Sequence, residues 1–189
     1  MGDYENYKRG RDLAWEALIK SGVSALPVDL KKVAHAYGIN VVSYKKALEM
    51  GLITGENIHG KVFVKVSDGK RIVFVDNGLK YRGSIRFLIA KGIGYCLLSK
   101  TPWFITDTVD YEAGIFARDL LMPATVLSGL CVKSASRIES LCDVSKRAAE
   151  LRAERMAELY DRNRFNQHPL ERKVSEQFKK FIEENKSPQ

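Results

Sequence analysis

The segment SIRFLIAKGIGYCLLS, residues 84–99, constrains this chain more than any other. It has the length and apolarity of a buried helix, with Ile85, Leu88, Ile89, Ile93 and Leu97 falling on one side at helical spacing. Yet Gly92 and Gly94 lie in its interior, where each glycine costs a helix about 1 kcal/mol relative to alanine. A buried helix with such glycines expects a neighbour close to its backbone, and a packed sheet is the simplest one. Lys91 interrupts the longest apolar run, Phe87–Leu98, which falls well short of the roughly 20 residues a membrane span needs.

The expected sheet lies just upstream. KVFVKV (61–66) and RIVFV (71–75) flank Ser67-Asp68-Gly69, a hairpin signal, and Asp76-Asn77-Gly78 closes the second run as a turn. INVVSY (39–44) is short and β-branched, a third strand. Helices surround these strands. One covers residues 4–20 and stops at Gly22. A second follows in LPVDLKKVAHAYG, where Leu30, Val33, Ala34 and Tyr37 form one face and Gly38 sits at a left-handed C-terminal cap. Another covers 110–123, with Ala113, Phe116, Ala117, Leu120 and Leu121 facing a core and Pro123 ending it. Shorter pieces follow, and Ser145 is the expected N-cap of the last long one. The order defines an α+β protein: a small antiparallel sheet packed against helices, with a helical C-terminal extension. The expected division is a domain over 1–126, a helix-turn-helix-like extension over 127–165, and a tail over 166–189 with a loose final helix at 170–184.

Charge selects little. The formal net charge is +8, but residues 127–189 hold 13 Lys and Arg against 10 Asp and Glu, leaving 18 against 13 for residues 1–126. The excess is spread rather than gathered into a basic arm. The start, MGDYENYKRGRD, is charged and unlike a secretory signal. Cys96, Cys131 and Cys142 are odd in number and form no CxxC pair, which points to free thiols in a reducing cytoplasm.

Four blocks in this order resemble the ImmA/IrrE family of metallopeptidases. LPVDLKKVAHAYGINVVSY (26–44) is similar to the family's opening helix and strand, and GKVFVKVSDGKRIVFVDN (60–77) to its hairpin. RFLIAKGIGYCLL (86–98) aligns with the pattern RFTLAHELGHLLL, and YEAGIFARDLLMP (111–123) with EANRFAAELLMP. The likeness covers roughly residues 20–160 and implies a zincin (gluzincin-like) fold, with the sheet packed on the helix that normally bears HExxH. In that motif two histidines one helical turn apart share a zinc ion, and the glutamate between them is the general base.

Aligned on this chain, the first histidine position is Lys91, the glutamate is Gly92 and the second histidine is Tyr95. Glu112 is the counterpart of the third ligand. A protonated lysine has no lone pair for a metal, glycine offers no base, and tyrosine ligates only as a phenolate. His35, His59 and His168 do not rebuild the spacing. The expectation is therefore a pseudopeptidase with no catalytic residue, no metal and no cofactor. Its vacated positions, Lys91, Gly92, Tyr95 and Glu112, form a binding cleft, with the Lys91 ammonium paired to Glu112 and the Tyr95 hydroxyl donating beside it. Cys96 is the one cysteine next to this motif, but Leu97 and Leu98 mark it as a small buried residue.

The resemblance implies partners among regulatory proteins, helix-turn-helix repressors of phage or mobile elements in particular. Arg147, Arg152 and Arg155 in the extension are expected to face a partner. Glu150, Glu154 and Glu158 alternate with them, as on a solvated helix. Two alternatives stay open: a DNA-binding regulator using residues 134–160, which is the weaker nucleic-acid reading, and a residual peptidase.

Overall fold

The structure is a computed structural model that describes residues 2–58, 60–67, 69–99, 105–162 and 165–186. His59, and Asp68 of the expected hairpin turn, lie outside them. The fold is mixed α and β, mostly helical. Helix α1 (Gly2–Ser21) and α2 (Leu30–Ala36) lead to strand β1 (Ile39–Ser43), then to α3 (Tyr44–Glu49) and a 3-10 turn at Gly55–Asn57. Strands β2 (Val62–Ser67) and β3 (Lys70–Val75) follow. Helices α4 (Arg82–Leu98), α5 (Asp107–Leu121), α6 (Ala124–Gly129), α7 (Ala135–Cys142), α8 (Lys146–Asp161), α9 (Pro169–Gln177) and α10 (Lys179–Asn185) complete the chain.

Local chemistry sets many of these ends. The Asp29 carboxylate accepts from the backbone N–H groups of Lys31 and Lys32 to start α2, and Gly38 takes φ +63° just after it. Thr106, Ser134 and Ser145 each accept a backbone N–H at the start of α5, α7 and α8. Between α7 and α8 the chain turns at Asp143, which is left-handed at φ 52°.

The sheet is mixed rather than antiparallel. Its order is β1-β3-β2, with β2 antiparallel to β3 and β1 parallel to β3. The expected hairpin is present, but α3 and the 3-10 turn carry the chain away from β1, and it is the second hairpin strand that returns to pair with β1. Central β3 is buried on both faces. Val73 packs towards α4, while Phe74 lies on the other side with Tyr44, Ala47 and Ile53, under α3. The Phe63 and Phe74 rings are 5.0 Å apart there, and the Tyr44 hydroxyl donates to the Gly60 carbonyl at 3.1 Å.

The two glycines of α4 serve two different contacts. A Cβ on Gly92 would stand 2.4 Å from Val73 Cγ1, so this glycine lets the helix lie against the sheet. A Cβ on Gly94 would stand 3.0 Å from the Phe116 ring and 3.2 Å from Ala113, so this one lets α5 approach. Sandwiched in this way, α4 does not keep the single apolar face its sequence suggests. Ile93 is fully buried, whereas Ile85, Leu88, Ile89 and Leu97 are only partly so, and the C-terminal half is buried nearly all round. On its far side α5 meets α1 just as closely, because a Cβ on Gly10 would reach the Glu112 carbonyl at 2.5 Å.

The main buried core runs from Ala14 of α1 to Phe178 after α9, apart from the smaller cluster under α3. The C-terminal residues expected to be loose are thus anchored: Val174 and Phe178 are wholly buried. The Gln177 amide also donates to the Leu18 carbonyl at 2.8 Å.

Candidate functional site

A groove of about 570 Å³ opens where α4, α5 and the start of α8 meet. Leu79, Phe87, Leu88, Ile115, Met122 and Leu151 give it an apolar lining, and Lys91 and Asp110 stand at its polar end. Leu151 remains 47% exposed, a large apolar side chain that the fold leaves open to solvent beside this lining.

Lys91 and Tyr95 lie one turn apart on α4 and so share a side of the helix. Both reach Asp110. The Lys91 ammonium donates to Asp110 Oδ2 at 2.9 Å and lies 2.8 Å from Oδ1, and the Tyr95 hydroxyl donates to Oδ1. Asp110 belongs to the first turn of α5, where a carboxylate also gains from the unpaired N–H groups of the helix start. Burial acts to raise the Asp110 carboxyl. The hydrogen bonds from Lys91 and Tyr95, together with the lysine charge, outweigh it and hold the group below its ordinary value. Burial is the main cause that pushes the Tyr95 phenol far above its ordinary value, and the Asp110 hydrogen bond and charge add to it. Tyr95 is therefore a neutral donor at physiological pH.

Glu112 is not part of this cluster. Two residues along a helix point in nearly opposite directions, so Glu112 faces α1 while Asp110 faces α4. The Glu112 side chain is 1% exposed and pairs with Arg9, whose Nη1 lies 3.1 Å from Oε2 and donates to Oε1 at 3.3 Å. Arg9 Nη2 caps the end of α4 by donating to the Leu98 carbonyl at 3.2 Å. The expected Lys91–Glu112 pair is thus replaced by two others, Lys91–Asp110 and Arg9–Glu112. Of the four expected cleft positions, Lys91 lines the groove, Tyr95 lies buried beside it, Gly92 faces the sheet and Glu112 faces α1. Asp110 and Arg9 were missed. The signal for Asp110 was its place immediately before the matched block and two residues before Glu112, in the capped start of the helix.

The donor set does not fit a zinc ion. A charged ammonium and a neutral phenol converge on one carboxylate, leaving no second lone-pair ligand. Among the described residues no group of three or more His, Cys, Asp or Glu side chains is arranged to hold a metal. His168 instead caps α9, accepting from Leu170 N at 3.3 Å, and its ring stacks on Trp15. Cys96 is buried, and burial pushes its thiol up to about 12, the reverse of an activated nucleophile.

The three arginines of α8 separate. Arg147 is exposed, lines the groove and lies 3.8 Å from Glu150. Arg155, about two turns further along the helix, pairs with Glu158. Arg152 faces no partner, because it is 1% exposed, with Nη1 2.8 Å from the buried Asp119 carboxylate on α5. Arg118 holds the other carboxylate oxygen. Burial raises the Asp119 carboxyl, but the two guanidinium groups more than reverse this and hold it below its ordinary value. A charged residue inside the apolar run ARDLLMP demands a buried cation, and Arg152 supplies it.

Comparison with models of known protein families and with curated protein sequences returned no match for this chain.

Proposed function

We propose that this chain is a non-catalytic relative of the ImmA/IrrE peptidases, zincin-like in fold, which binds a regulatory protein in the cytoplasm. Its occupant is a helix-turn-helix repressor of the kind that controls phage or mobile elements, docked by an apolar helical face. The observation that carries the reading is the Lys91–Tyr95–Asp110 cluster. At the two positions where the resemblance expects histidine ligands stand two proton donors, both committed to a carboxylate from the next helix. The cluster closes the polar end of a groove that is otherwise apolar. A groove of this volume and lining suits a few apolar anchors of a partner helix, and Arg147 at its edge suits an acidic flank on that partner.

The burial of Arg152 weighs against duplex DNA, since one of the three α8 arginines in residues 134–160 is held inside the protein.

The test is a photo-crosslinking residue placed at Leu151, beside the groove, with exposed Leu48 as the control position. A defined adduct from Leu151, absent from Leu48 and lost when Leu88→Glu is added, supports the reading once mass spectrometry identifies a regulatory DNA-binding protein. Equal adducts from both positions, or a Leu151 adduct that survives Leu88→Glu, would overturn it.

A further inference from the structure

A second cavity, about 550 Å³, lies further along α8 than the groove, between α1, α8 and the start of α9. Five basic side chains line it, among them Arg11, Arg152, Arg155 and Arg162, against two acidic ones, Asp119 and Glu171. Neither acid is free to hold a cation there. Asp119 is already shared between Arg118 and Arg152. Glu171 accepts the backbone N–H of Gln167 at 3.1 Å.

Arg152 carries the argument. It is 1% exposed, and its Nη1 alone is used by Asp119. Among the described residues, its Nε and Nη2 have no hydrogen-bond partner. These two N–H groups are not scattered: they form one edge of the planar guanidinium, the fork that matches two oxygens of a phosphate or carboxylate. A buried guanidinium with an idle fork is expensive, because buried polar groups without partners lose their hydration for nothing in return. Around it stand further cations, of which Arg11 pairs with Asp12 and Arg155 with Glu158, both in partly exposed ion pairs. Arg162 is exposed at the end of α8, and the Arg155 guanidinium lies 5.9 Å from the centre of the Tyr7 ring. Arg11 stacks on Trp15 at 4.6 Å, which holds its charge at the cavity wall.

We infer that this cavity is a binding site for a small molecule carrying a phosphate group, with the Nε–Nη2 edge of Arg152 as its two-pronged anchor and Arg11, Arg155 and Arg162 as the surrounding charge. A phosphate offers two oxygens to the fork and a further oxygen to the surrounding Arg11, Arg155 and Arg162 donors, which a single carboxylate does not. The site lies apart from the α4–α5–α8 groove and does not depend on the function assigned there.

The experiment titrates the full chain with inorganic phosphate, and separately with AMP, by calorimetry and thermal melting at constant ionic strength held with chloride. Saturable phosphate binding that raises the melting temperature is expected. Arg162→Gln, a surface change that leaves the core intact, should weaken it, and Arg152→Met should weaken it about tenfold or more through loss of the charged fork. Arg147→Gln, in the other groove, should leave it unchanged. AMP competing with phosphate at the same site identifies a phosphomonoester as the ligand, and binding of phosphate alone identifies the free anion; either supports the site. Equal stabilisation by chloride alone, or phosphate binding indifferent to both Arg162→Gln and Arg152→Met, would overturn it.

Discussion

Replacing Gly92 by alanine measures how closely α4 lies on the sheet. Helix propensity alone favours the change by about 1 kcal/mol. Geometry opposes it, because the new Cβ would stand 2.4 Å from Val73 Cγ1 and 3.0 Å from Val62 Cγ2, where carbon atoms at rest keep about 3.5–4.0 Å. Val73 is wholly buried on the central strand, and its branched side chain has little rotamer freedom to retreat. Overpacking of this kind costs about 1–3 kcal/mol, and the contact is at the severe end. The expected net loss is therefore about 1–2 kcal/mol, a fall in melting temperature of roughly 2–8 °C for a chain of this length. Thermal and urea unfolding of Gly92→Ala, Val73→Ala and the double variant provide the assay. The double variant should be less destabilised than the sum of the singles by about 1 kcal/mol, since the smaller residue at 73 makes room. Gly92→Glu should fail to fold, because it drives an unpaired carboxylate into the sheet. A Gly92→Ala protein that melts at or above the wild-type temperature would refute the close approach, and strict additivity would refute the assigned partner.

Three further outcomes follow from the ion pairs and thiols. Asp110 is held below its ordinary carboxyl value in the fold, so the stability it contributes is complete above its unfolded value of 3.8 and disappears as pH falls through the folded one. The stability difference between wild type and Asp110→Asn should thus be constant near neutrality and shrink below about pH 4; half-exposure of Asp110 keeps it to about 1 kcal/mol or less. Arg9→Ala strands the buried Glu112 carboxylate and should cost about 3 kcal/mol in chemical denaturation, with much of the loss recovered by adding Glu112→Gln. A thiol reagent should modify exposed Cys131 quickly and leave Cys96 and Cys142, both pushed to about 12 by burial, unreacted until the chain unfolds.

Periodic and capping signals carried most of the element pattern. The hairpin strands, the cap at Gly38, the Ser145 N-cap and the buried face of α5 all follow from local chemistry, and the fold places them as read. What local chemistry could not supply was pairing. Strand direction in β1 depends on how α3 turns the chain, and nothing in INVVSY encodes its neighbour. Likewise Lys91 and Tyr95 were legible as one side of a helix, but their partner was settled by the rotation of α5, a difference of two residues that moves a carboxylate from one face to the other. Arg152 shows the same limit. Its alternation with glutamates reads as a solvated helix, and only the buried Asp119 on another helix turns it inward. The tail from Asn166 was underestimated because Val174 and Phe178 are sparse apolar signals whose burial depends on α1 and α6.

The central claim is that protein side chains have taken over the position a metal would need. Zinc content of the full chain, purified without chelator or metal-affinity tag, tests it most directly. Far less than one zinc per chain is expected, with no tight uptake when zinc is added. One zinc per chain that is lost on changing Asp110→Asn or Tyr95→Phe would contradict it, and would return the groove to hydrolytic chemistry.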